Sequence, residues 1–231
     1  MESGTAGRIG PFEKFFRTRI GGILYLLWIT FIALFVFLVI GQGIIGTFFG
    51  IGISVLGDKA EAAGNTLWSS VFRSGSVYAA FAGIWILTII FLAVFPWNRF
   101  ILRKIGPGGG NTVPMLLKGI GWGMALNLFC AVVGILHGDI VLHFNRFDLI
   151  PVLFLLFLVA VQSSAEELIF RAYMFEKISV RYPMPFLAAV LNAVLFLTIH
   201  MGNPGVTFMG LLNIFLVAVM TSLVVAFEDS F

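Results

Sequence analysis

Residues Gln162 to Lys177, QSSAEELIFRAYMFEK, place two adjacent glutamates and an arginine at the end of an otherwise unbroken apolar run, LIPVLFLLFLVAV. On a helix, Glu167 and Arg171 lie four residues apart and share a face, where they can form a charge pair. Glu166 is turned about 100° away, onto the face of Gln162, Phe170 and Tyr173. The arginine can therefore satisfy one carboxylate while the other stays free. In lipid-like surroundings a carboxylate costs several kcal/mol unless paired, and it marks a functional site by default. Low dielectric also suits such a group to act as a general base.

The surroundings are lipid-like because the whole chain is. Its 231 residues are 60% hydrophobic, 15% aromatic and only 11% charged, with a mean hydropathy of +1.05. Soluble domains carry about 25% charged residues. The composition predicts an all-α membrane protein, a polytopic bundle of about six transmembrane helices with no room for a separate soluble domain. The net charge of +3 lies in loops, so it reports orientation in the bilayer and argues against a nucleic-acid partner. Cys130 falls inside an apolar segment, which predicts a lone buried thiol and no internal disulfide. Arg8, Lys14, Arg17 and Arg19 precede an apolar run too long for a cleavable signal, so residues 1–19 read as a cytoplasmic tail before a first anchor.

Six segments must position the acids. The first, about Ile20 to Ile40, runs on into the Gly-rich GQGIIGTFFGIGISVLG, which can extend, kink or re-enter. The second spans about Ser76 to Phe95 and is closed by Pro96. The third, about Val113 to Leu136, carries Gly119, Gly121 and Gly123 at a spacing suited to close helix packing. The fourth begins near Leu149 and carries the acidic pair. The fifth runs from Pro185 to Ile199 and ends at His200; the sixth covers about Val206 to Phe227. Basic and non-basic loops alternate: Arg99, Arg103 and Lys104 are in one basic loop, and Arg171 to Arg181 form another. This pattern puts the N-terminus in the cytoplasm. At about 1.5 Å per residue, Glu166 lies about 16 Å deeper than Lys177. His200 lies about 22 Å from the start of its helix, so ordinary tilt lets the two meet near the middle of the bilayer.

Other polar residues have plainer explanations. His137 and His143 flank Asp139 in what reads as a solvated loop in preference to a metal site. Asn192, Asn203 and Asn213 suit helix packing or turns, and the tryptophans, Trp97 above all, suit interface anchoring. The glycines between Gly41 and Gly57 read as packing contacts, since no GxxxxGK[ST] pattern occurs.

EELIFR at Glu166 to Arg171 resembles the EExxxR motif of the CAAX protease and bacteriocin-processing (CPBP, or Abi) family of intramembrane proteases. FLTIH at Phe196 to His200 is similar to that family's FxxxH. The resemblance covers roughly the C-terminal half and implies a single transmembrane domain over 20–231 with its protease-like core at about 149–231. It implies an intramembrane endopeptidase, with Glu166 activating water, His200 its partner on that water, and Glu167, Arg171 and Phe196 in support. Its partners would be the lipid bilayer and a peptide or lipid-modified protein substrate, and its place a multi-pass position in the plasma membrane. The sequence itself requires no cofactor. The family has been described both as metalloproteases and as glutamate proteases, so zinc held by Glu166 and His200 is the resemblance's alternative, although one Glu and one His fall short of a three-ligand site. A third motif, HxxxN or similar, follows on a later helix in the family, and no histidine follows His200 here. Asn213 on the last helix could lie near the site without occupying that motif's place. The alternative is a catalytically incomplete pseudoprotease, acting as an immunity or scaffold protein.

Overall fold

The computed structural model describes residues 15, 18–94, 112–142, 148–203 and 205–228. The described residues form seven helices and no strand: α1 (Arg19–Ala62), α2 (Thr66–Ala79), α3 (Ala82–Val94), α4 (Val113–His137), α5 (Leu149–Arg181), α6 (Pro185–His200) and α7 (Phe208–Glu228). An apolar backbone in lipid has no water to bond to, so helices are the expected answer. Their ends are marked by ordinary capping chemistry. Thr18 Oγ1 accepts from the Gly21 amide at 3.0 Å, and Asn65 Oδ1 accepts from that of Trp68 at 3.2 Å. Gly138, at φ 90°, stops α4 in the left-handed conformation that favours glycine.

Among the described residues, five stretches are long and apolar enough to cross a membrane: Arg19–Ala62, Thr66–Phe91, Val113–His137, Leu149–Arg181 and Phe208–Phe227. The protein is thus a polytopic helical membrane protein. The remaining helix, α6, has 16 residues and reaches only about 24 Å, short of the ~30 Å hydrocarbon core. The Gly-rich tail of the first segment does not re-enter. It continues α1 to 44 residues, far more than a bilayer requires. The tip of α1 joins α2 in a charged hairpin, where Arg73 pairs with Asp58 at 3.4 Å and with Glu61.

The second segment also differs from expectation. Its helix starts at Thr66 and breaks at Ala80–Phe81, so Ser76 lies inside α2; Phe95, Pro96 and Trp97 lie outside the described residues. The break lets α3 press against α1. Residues Ala33–Gly46 of α1 form wide π-helical turns, and a Cβ on Gly46 would collide with the Ala80 carbonyl oxygen, one on Gly83 with backbone atoms of Gly41 and Gly46. Gly52 meets nothing within 4 Å, whereas Gly41 and Gly46 are packing contacts, as expected.

The glycines of α4 are not. A Cβ on Gly119, Gly121 or Gly123 would meet nothing within 4 Å, and α4 contains no buried residue. With no described helix packed over it, Cys130 is exposed instead of buried.

Candidate active site

The core lies where α5 widens. Its α-helical part ends at Glu167, and Leu168–Phe175 follow as a π-helical segment in which every residue is buried, Arg171 included. Such turns are rare and cluster at functional sites. The continuous 3.6-residue periodicity assumed from sequence therefore fails just beyond the acids.

The expected charge pair is present: Arg171 Nε lies 3.3 Å from Glu167 Oε2. Its two members sit in unlike settings, since the arginine side chain is 2% exposed and the glutamate's 48%. Glu166, half-buried, accepts from Gln162 Nε2 at 3.1 Å through Oε1, a neutral partner one turn back. On the far side of Arg171, the guanidinium carbon stands 4.6 Å from the ring centre of Phe196. That ring packs edge-on against Phe170 at 4.9 Å and lies 4.4 Å from the imidazole of His200. Glu167, Arg171, Phe196 and His200 thus form one chain of contacts across α5 and α6.

The depth of the two helices follows from the same contacts. Phe170 faces Phe196, and Ile178 shares a cluster with Ala188 and Ala189, so α5 and α6 run antiparallel. One turn back from Phe170 is Glu166, and one turn on from Phe196 is His200, which puts the two at a common level. His200 Nδ1 is 2.8 Å from the Phe196 carbonyl oxygen. With Nδ1–H donating there, Nε2 is left as the acceptor.

Five residues the motifs do not contain complete the surroundings. Thr221 on α7 accepts from Arg171 Nη2 at 2.7 Å and from Nε at 3.2 Å. Asn192 Nδ2 donates to Ser222 Oγ at 3.0 Å, with both residues fully buried, which ties α6 to α7. The Trp85 indole donates to Ser164 Oγ at 3.1 Å, tying α3 to α5, so this tryptophan packs the bundle and is no interface anchor. A lone Thr, Ser or Trp has no signature in sequence; only the pattern of polar residues inside apolar helices could have drawn attention to them. The antiparallel contact at Asn192–Ser222 brings His200 level with Ile214, beside Asn213, whose side chain is exposed. Asn203 sits in the turn after α6, where its amide donates to the His200 carbonyl at 3.1 Å.

A metal has little to hold it. Among the described residues no three His, Cys, Asp or Glu side chains converge, and Glu166 with His200 supplies two donors where catalytic zinc takes three from protein. The described residues do not by themselves complete a zinc site. His137 Nδ1 lies 3.0 Å from Asp139 at the exposed end of α4, and His143 is outside the described residues.

No curated protein and no solved structure matches the chain. Residues 148–231, a little over a third of the chain and the part that carries both the acidic and the histidine motif, match the family model described as type II CAAX prenyl endopeptidase, Rce1-like, in agreement with the CPBP resemblance.

Proposed function

We propose that the chain is an intramembrane endopeptidase of the CAAX-protease type, cleaving a peptide bond of a membrane-associated or lipid-modified substrate near the cytoplasmic side. The supporting observation is that Arg171 forms its ion pair with Glu167, while among the described residues Glu166, at the level of His200, is hydrogen-bonded by the Gln162 amide. In this reading Glu166 takes a proton from a water held between its carboxylate and His200 Nε2. The water oxygen adds to the carbonyl carbon, and the proton passes to the departing amide nitrogen as the C–N bond breaks. No step is routed through a metal. The N-terminus lies in the cytoplasm and the membrane is the plasma membrane; both belong to the proposal, as does the role of Glu166 itself.

The test is Glu166→Gln in the full chain, reconstituted in lipid vesicles with a prenylated peptide and, in parallel, an unmodified apolar peptide. Loss of a general base lowers turnover by about 10²–10⁴-fold. Unchanged cleavage by Glu166→Gln removes the assignment. A cellular phenotype that survives both Glu166→Ala and His200→Ala would instead favour a non-catalytic scaffold or immunity role.

A further inference from the structure

Glu166 and His200 sit on different helices, yet each is tied down in the same way. Gln162 Nε2 donates to Glu166 Oε1 at 3.1 Å, and His200 Nδ1 lies 2.8 Å from the Phe196 carbonyl oxygen. In both cases the partner is the residue four positions earlier on the same helix, the neighbour that α-helical geometry places on the same face. For Glu166 this depends on where α5 widens. The α-helical part runs through Glu167, so Gln162 and Glu166 are still one ordinary turn apart. Each anchor engages one atom of the reactive group and leaves the second, Glu166 Oε2 or His200 Nε2, for a water.

We propose that Gln162 is a positioning residue for Glu166; the inference rests on the endopeptidase reading above, and Gln162 lies outside both motifs that carry that reading. An ionised carboxylate only accepts hydrogen bonds, so the glutamine turns its NH2 group toward it and its own orientation is fixed as well. A neutral donor anchors the carboxylate without cancelling the negative charge a base needs. A guanidinium in its place would pair with the acid, as Arg171 does with Glu167. Without a tether, the three side-chain torsions of a glutamate let its carboxylate sample several rotamers. Gln162 and Glu166 are both half-buried, so water competes for their bond only in part. Held at Oε1, the carboxylate keeps Oε2 in one place relative to His200. Attack by a water held between them needs that, since a misplacement of about 1 Å costs on the order of 10²-fold in rate. Gln162 touches neither the water nor the substrate in this reading; it acts through Glu166.

The experiment compares wild type, Glu166→Gln and Gln162→Leu as full-length protein in lipid nanodiscs, with the prenylated and the unmodified peptide as substrates. Leucine is a good helix former of similar length and has no donor. Gln162→Leu is expected to lower kcat by about 10–10²-fold with KM unchanged, the pattern of an interaction that matters only as the reaction proceeds. Infrared difference spectra at alkaline pH give a second readout that needs no turnover. The carboxylate band lost in Glu166→Gln is expected to shift in Gln162→Leu, because a hydrogen bond to the oxygen alters its stretching frequency. A merely structural glutamine would lower the melting temperature and leave both kcat and the band in place. An unchanged kcat in Gln162→Leu, or an unmoved band, overturns the proposal. Should the leucine variant not fold, Gln162→Met reads the same kcat and band. A wild type that cleaves neither peptide, or a Glu166→Gln variant that cleaves like it, defeats the endopeptidase reading and this role with it. An inactive Glu166→Gln beside an unchanged Gln162→Leu defeats only the role of Gln162.

Discussion

Helices α4 and α5 are near twins by composition: the most apolar windows of Val113–His137 and Leu149–Arg181 have mean hydropathies of 1.9 and 2.0. One buries nothing, and the other contains a segment in which every residue is buried, Leu168–Phe175. Hydropathy sorts a segment into lipid but does not choose its neighbours, because lipid tails are as apolar as leucine. Polar bonds and close backbone contacts make that choice. In α5, Ser164 and Arg171 reach partners on α3 and α7. In α4, Asn127 spends its amide on the Gly123 carbonyl oxygen of its own helix, at 2.8 Å.

The contrast can be broken at three strengths. The largest effect on stability is expected for Arg171→Met, which strips the bonds to Thr221 and Glu167 from a buried site and should cost about 3 kcal/mol. Reversible denaturation in mixed micelles measures it, with Asn127→Leu on α4 as the counterpart that stays within about 0.5 kcal/mol. Gly83→Ala comes next. The added methyl group meets backbone, which cannot move aside alone, and overpacking of this kind costs about 1–3 kcal/mol. Gly123→Ala, with open space around it, should be neutral to within about 0.5 kcal/mol. A destabilised Gly123→Ala would mean that α4 is packed after all and that the comparison fails. The smallest effect is expected for Asn192→Leu, near the ~0.6 kcal/mol average for hydrogen bonds between membrane helices. A loss of several kcal/mol there would mark Asn192–Ser222 as a main determinant of the α6–α7 contact.

Much of the site was legible beforehand. The i, i+4 relation of Glu167 to Arg171 is local, and the pair forms as spacing requires. The start of α5 at Leu149 and of α6 at Pro185 are equally local matters of composition and a proline at the first helical turn. Sequence is a poor guide where a residue's meaning depends on a distant partner. Gly119 and Gly123 have the spacing of a packing motif, yet only a second helix can make them one. Gly46 and Gly83 are far apart in the chain and find each other only because the break at Ala80–Phe81 turns α3 onto α1.

Sequence by itself determined that the chain lives in lipid, that it spans it repeatedly as helices, and that a carboxylate pair with one arginine sits inside an apolar helix. Those follow from transfer energies and helical periodicity, which are properties of short stretches. Tertiary structure alone decided that Arg171 is buried against Phe196 and Thr221, that the turn around it is widened, and that α4 buries no residue against the other described helices. Each of these depends on which helices meet, and in a solvent indifferent to apolar contact that is settled by a few polar bonds and glycine crossings between residues remote in the chain.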